Sequence, residues 1–285
     1  MQVEVAFHRQ DQLGESPVWS IKDDALWWVD IHRPAVLCGT PGSTAAEWLM
    51  TGTVGSLGLR RAGGVVLAMR HGFMLMDRDG RTRKLAQPIA SLPGLRFNDG
   101  RVDRRGRFWA GTVQEHRVPG EAGLYRLTPD GTCRQMVHGV TVSNGLAWSP
   151  DDRTMYLACS HERTVYAYDF DLDAGELGAR RVFARIEHGV PDGATVDSAG
   201  CYWLAHFDGG RLTRFDPGGR EDRVIAMPVP RPTSCAFGGP GLDTLYVTSA
   251  RFNLDTPALH AAPLSGSVFA LRPGVAGLPE PEYEG

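Results

Sequence analysis

A chain of 285 residues with 42% hydrophobic and 22% charged residues has ample material for a core, which excludes wholesale disorder. A formal net charge of -3, with the arginine pairs Arg60-Arg61, Arg104-Arg105 and Arg180-Arg181 scattered among acids, excludes the concentrated basic footprint of a nucleic-acid binder. The 35 glycines and 19 prolines, spread along the whole length, predict many turns and therefore many short strands.

The opening run Met1-Gln2-Val3-Glu4-Val5 has neither the basic nor the apolar region of a secretory signal. The apolar stretches are strand-sized, well below the roughly 20 residues of a membrane helix. Both features predict a cytoplasmic protein without a membrane partner. Cys38, Cys133, Cys159, Cys201 and Cys235 are odd in number and form no Cys-x-x-Cys pair. They read as small hydrophobes in a reducing compartment, neither a disulfide framework nor a zinc site.

In chain order, a strand-like run Gln2 to Phe7 precedes a series of similar units. The first begins at Glu15-Ser16-Pro17-Val18-Trp19 and continues through Leu26-Trp27-Trp28-Val29-Asp30. A degenerate copy starts near Gly55 and passes through Gly63-Gly64-Val65-Val66-Leu67. Three close copies follow: Phe97-Asn98-Asp99-Gly100 with Phe108-Trp109-Ala110, Ser143-Asn144-Gly145 with Met155-Tyr156-Leu157, and Pro191-Asp192-Gly193 with Tyr202-Trp203-Leu204. A looser one starts at Thr233-Ser234-Cys235 and continues through Leu245-Tyr246-Val247-Thr248. Each unit reads as a polar residue, an alternating run, a turn rich in Asp, Gly or Pro, and an aromatic-led run, which is the grammar of a hairpin. A second hairpin follows each, as in Gly123-Leu124-Tyr125-Arg126-Leu127. Six units of two hairpins predict an all-β, six-bladed β-propeller of four-stranded antiparallel blades, one domain spanning residues 1–285. A β-sandwich would leave the six-fold similarity unexplained, and the signatures of WD repeats are absent. The opening strand is expected to close the ring against Gly266 to Leu271. Trp19, Trp109, Trp148 and Trp203 are expected in the core between blades.

The first strand of each propeller blade lines the axis, so residues at the start of these strands meet at one rim. Glu15, Asn98, Asn144, Asp192 and Ser234 hold those positions. Two carboxylates and two carboxamides from separate blades form a set of hard oxygen donors suited to calcium, magnesium or manganese. Taken singly, an Asn or Asp before glycine reads as a turn residue; Glu15, which precedes Ser-Pro, does not. His116 and His206 each follow a Trp-led strand and are candidates for the pocket rim.

The strings LGESPVW (Leu13 to Trp19), RFNDG (Arg96 to Gly100), SNGLAWS (Ser143 to Ser149), PDG (Pro191 to Gly193) and TSCAFGG (Thr233 to Gly239) occur in one order over nearly the whole chain. The ordered set resembles the senescence marker protein/gluconolactonase/regucalcin family. The resemblance implies one divalent metal held by Glu15, Asn144 and Asp192, with Asp192 also the general base and with Arg96 and Asn98 on the sugar. Calcium, magnesium, manganese, zinc and ferrous iron all suit such a site. The family's acidic sugar contact falls here within Gln114-Glu115-His116. An ungapped count lands on His116, so the contact either shifts to Glu115 or is absent. Residues from Arg251 to Pro263 resemble the final-blade insertion of bacterial sugar lactonases.

The implied activity is metal-dependent hydrolysis of a sugar lactone, a small-molecule partner, to its aldonic acid. The alternatives are a metal-stabilised propeller serving as a binding platform, and a propeller esterase acting on other esters. No Gly-x-Ser-x-Gly elbow, His-Glu-x-x-His motif, phosphate loop or dinucleotide fingerprint competes with these.

Overall fold

The computed structural model describes residues 2–285. Six four-stranded antiparallel sheets occupy residues 14–49, 54–86, 95–140, 143–185 and 190–226, with the sixth built from 232–271 and the opening strand. In five blades the strands follow chain order from the axis outward. In the sixth, Glu4–Phe7 pairs antiparallel with Val268–Leu271 as the outermost strand, so the two ends of the repeat share one sheet. The propeller and its closing strand therefore match the arrangement expected from the repeats.

Local chemistry explains the blade shape. In the turn after the first strand of blade 3, Asp103 Oδ1 accepts from the backbone N–H groups of Arg105 and Arg107 at 2.9 and 3.1 Å. Its Oδ2 accepts from Trp109 Nε1 at 2.7 Å. Blade 5 repeats the device: Asp197 accepts from Ala199, Cys201 and Trp203 Nε1, the last at 2.9 Å. Gly200 closes that turn at φ +83, a left-handed conformation glycine adopts without a Cβ penalty. One aspartate thus folds the turn and anchors the tryptophan that leads the next strand.

The core is divided rather than central. Six buried clusters each join two neighbouring blades, one per seam of the ring. Trp19 stacks on Tyr246 across the seam of blades 1 and 6 at 5.4 Å. Trp109 meets Trp148 edge-on at 6.0 Å between blades 3 and 4, and Trp203 meets Phe237 at 6.2 Å between blades 5 and 6. All four tryptophans expected at seams lie there, buried. The cysteines are free, with Cys159, Cys201 and Cys235 buried and the other two half-buried.

Two further segments bear on the site. The insertion after blade 6's second strand contains a short helix, Thr256–Ala261, capped by Asp255. The tail after Leu271 crosses the face opposite the rim. Its contacts run from Ser198 of blade 5 and Leu242 of blade 6 to Arg101 of blade 3 and Leu59 of blade 2, and Tyr283 is buried in the seam of blades 2 and 3. Among the described residues no helix is long and apolar enough to cross a membrane.

Candidate active site at the axial rim

The innermost strand pair of every blade breaks register near its start. The irregularities fall at Glu15/Val18, Val54/Ser56, Phe97/Gly100, Asn144/Ala147, Pro191/Ala194 and Pro232/Ser234. These are β-bulges, which bend a strand and re-aim side chains. The polar-glycine pairs legible in the sequence are therefore bulges within strands and not turns, with Gly145 at φ +59 and Ser16 at φ +50. In five blades the bulge carries a polar side chain, Glu15, Asn98, Asn144, Asp192 or Ser234. Blade 2 carries Gly55 there, and its bare α-carbon lets the backbone press against blade 3: a Cβ would lie 2.5 Å from Phe97 O.

A cavity of about 150 Å³ opens on this rim, bordered by Glu15, Arg96, Asn98, Asn144 and Asp192. A directional chain of hydrogen bonds orders it. Arg96 Nη1 donates to Asn98 Oδ1 (2.8 Å), Asn98 Nδ2 to Asn144 Oδ1 (2.8 Å), Asn144 Nδ2 to Ser160 Oγ (2.8 Å), and Ser160 Oγ to Pro191 O (2.6 Å). Its polarity is fixed at both ends, because a guanidinium only donates and a carbonyl only accepts. Neither amide can flip without breaking two bonds, so the oxygen of Asn144 is the atom left toward Asn98 and the cavity.

Glu15 and Asp192 are buried, and among the described residues neither has a cationic partner within ion-pair distance. Burial pushes the Glu15 carboxyl well above its ordinary range, with the negative charges of Asp192 and Asp99 adding to it. Asp192 is raised well above its range by burial and then by Asp99, against the opposing pull of Arg117 and Arg96. Asp99 itself, raised by burial to about 6, accepts from Leu146 N–H at 2.9 Å on the floor side of the axis. Among the described residues no three His, Cys, Asp or Glu side chains gather round one point. What gathers is two carboxylates and a carboxamide oxygen, with no cation of the described residues within ion-pair distance of either carboxylate, although Arg96 and Arg117 border the same cavity. That donor set fits one hard divalent cation, which would supply the missing positive charge.

The remaining expected residues are distributed unevenly. Arg96 and Asn98 border the cavity. Glu115 stands at the rim outside its lining, held by both Nη atoms of Arg70 at 3.0 and 2.5 Å, and its charge acts on Arg96 and His32. His116 is exposed beside Gly94. His206 does not border the cavity: it is buried in blade 5, its Nδ1 2.7 Å from His188 O, and burial lowers it to about 4. Ser234 lines the inner strand of blade 6 but packs against Gly193 and not the cavity. The mouth instead draws on residues the sequence did not single out: His32, Arg117, Ser160, Phe207 and Phe252. Phe252, from the insertion, packs on His32 with ring centroids 4.1 Å apart. Four of them lie just after the second strand of a blade and Phe207 ends one, a shared position but not a shared residue type.

Known proteins share this chain's sequence and shape. It is 44% identical to 6-deoxy-6-sulfogluconolactonase of Pseudomonas putida, over 96% of this chain and 95% of that one. It is 38% identical to regucalcin of Danio rerio, over 100% and 99%. The crystal structure of a regucalcin from Agrobacterium tumefaciens, described as a calcium-binding protein, superposes with a TM-score of 0.94 at 27% identity, covering 99% and 97% of the two chains. Residues 13–251 match the model of the SMP-30/Gluconolactonase/LRE-like region, and with these relatives at full length the chain belongs to that family.

Proposed function

We propose that the axial cavity hydrolyses a sugar lactone to the corresponding aldonic acid with the help of one divalent metal ion. The observation that carries this is the meeting of Glu15, Asn144 and Asp192, from three blades, beside the ordered Arg96–Asn98 pair. The name of the Pseudomonas putida relative gives the reaction class independent support.

Glu15, Asn144 Oδ1 and Asp192 would hold the ion, for which calcium, zinc, manganese, magnesium and ferrous iron are all candidates by donor type. When bound, it supplies Lewis acidity that stabilises negative charge on the carbonyl oxygen of the lactone. Asp192, a carboxylate on the cavity wall, accepts a proton from the attacking water. The water oxygen bonds to the carbonyl carbon, the ring carbon–oxygen bond breaks, and Asp192 returns the proton to the departing ring oxygen. Arg96 and Asn98, fixed by the hydrogen-bond chain, orient sugar hydroxyls. A deoxy analogue would leave them unpaired and bind less well. Val113, Val142 and Val190 wall the cavity and limit stray water. Glu115 and His116 lie close enough to the rim to touch a longer substrate.

A pH-indicator assay over a panel of aldonolactones, with and without chelator, tests the reading. Wild-type protein should acidify the solution in a chelator-sensitive way, and Asp192→Ala should lose turnover on every lactone. Retained turnover in the variant would remove Asp192 as the base.

A further inference from the structure

Three arginines are buried among the described residues: Arg96, Arg107 and Arg126. Arg107 pairs with Asp103 at 2.7 Å and Arg126 with Glu176 at 3.4 Å. Arg96 has no carboxylate within ion-pair distance. Its Nη1 is engaged by Asn98 Oδ1 and Phe97 O, while Nε and Nη2 make no protein hydrogen bond and the residue borders the cavity. A buried, unpaired guanidinium is costly to keep, and burial already lowers it to about 10.

A second cation stands beside it. Arg117 holds the left-handed conformation, φ +59, that a long side chain rarely adopts, in a turn closed by its own N–H to Gln114 O at 2.9 Å. Its side chain forms no hydrogen bond or ion pair and borders the same cavity. Arg117 is near enough for its charge to act on both Arg96 and Asp192. The other arginine of this rim, Arg70, is cancelled by Glu115. His32, lowered by burial, adds no charge near neutral pH. Asp99 faces the floor, toward Arg101. Once a divalent cation balances Glu15 and Asp192, the cavity is left with two unmatched guanidinium groups. Arg96 lies one carboxamide removed from the donor set, through Asn98, and Arg117 borders the same cavity.

We infer that Arg96 and Arg117 form a seat for a tetrahedral oxyanion, so that the substrate is a sugar lactone bearing a sulfonate or phosphate on its exocyclic carbon. This rests on the lactonase reading above and narrows it. The reacting carbonyl lies at the Glu15–Asn144–Asp192 end and the anionic substituent at the arginine end, each guanidinium giving two directed N–H groups to its oxygens. A neutral lactone offers Arg96 hydroxyl groups but brings neither guanidinium an opposite charge.

The test compares kcat/KM above the spontaneous rate for glucono-1,5-lactone, its 6-phosphate and its 6-deoxy-6-sulfonate. One charged lactone should be preferred by roughly 10- to 100-fold, the value of one or two charge-assisted hydrogen bonds. Which charged lactone leads distinguishes sulfonate from phosphate. Arg117→Gln, a substitution at an exposed position, should cut the charged-to-neutral ratio by about 10-fold. Equal kcat/KM for charged and neutral lactones, or equal losses on both in the variant, would overturn the inference. Calorimetric titration with 6-phosphogluconate, 6-deoxy-6-sulfogluconate and gluconate, which share the C1 carboxylate, gives a readout free of turnover. Tighter binding of a 6-substituted acid with no hydrolysis of any lactone would keep the seat and reject the lactonase reading. Equal binding of all three acids would reject the seat.

Discussion

Replacing Ser160 by alanine removes one hydroxyl and two buried hydrogen bonds, those with Asn144 Nδ2 at 2.8 Å and Pro191 O at 2.6 Å. Ser160 is buried in the wall of the cavity, and the two groups it serves lose their partner there. At about 1–2 kcal/mol for each unsatisfied group, the loss is about 2–4 kcal/mol. An unfolding entropy of about 2.1 cal/mol/K per residue makes each kcal/mol worth about 1.7 °C in a chain of 285 residues, so Tm should fall by about 3–7 °C. A second effect is specific to the site. Without Ser160, only the bond from Asn98 Nδ2 still fixes the Asn144 carboxamide, and a rotated carboxamide would offer N–H where a bound cation needs oxygen. Loss of such an orienting partner typically weakens metal binding by about 10- to 100-fold. The assays are differential scanning fluorimetry and calorimetric titration of chelator-stripped protein with calcium chloride, with Ser160→Thr as the variant that keeps the hydroxyl. A lowered Tm with undiminished calcium affinity would show that the hydrogen-bond chain does not set the Asn144 carboxamide.

Gly55→Ala would place a methyl group 2.5 and 2.7 Å from the carbonyl oxygens of Phe97 and Asn98, both backbone atoms that cannot swing aside. It should cost about 1–3 kcal/mol in urea unfolding and also lower kcat/KM, because blade 3 must move with Asn98. Unchanged stability would mean that the two blades are not in the contact described. His206, held neutral with a pKa near 4 against 6.5 when unfolded, contributes stability that is complete above about pH 6.5 and lost as pH falls toward 4. That amounts to about 3 kcal/mol at most. His206→Gln should therefore flatten the decline in urea midpoint between pH 7 and pH 4.5; an equally steep decline would assign it to other groups, such as the carboxylates.

The fold was legible because its period was written in turn chemistry. Asp103, Asp197 and the glycines after them recur at matched positions, and the tryptophans they anchor recur with them. Glu15, Asn98, Asn144 and Asp192 could be placed on one rim because equivalent positions in a ring face one axis, whatever the details of each blade. The bulges were not legible. Asn-Gly and Asp-Gly carry the same residues whether they turn a chain or kink a strand, and only pairing with the neighbouring strand separates the two. Nor was the second tier of the mouth. Ser160, Arg117 and Phe252 share no residue type, since each loop does a different task, so no repeat signal marks them. His206 illustrates the converse: it follows a Trp-led strand at a plausible spacing, yet its ring turns into the blade toward His188 O.

The tail that crosses the far face meets Arg101, which reaches over the axis from blade 3 to Ala194 O and Thr195 Oγ1 of blade 5 and ends on Glu280 of the tail. With that end stoppered, the ring is a cup and not a tube. Whatever enters the cup must leave past the same lip, so incoming and outgoing molecules share one passage.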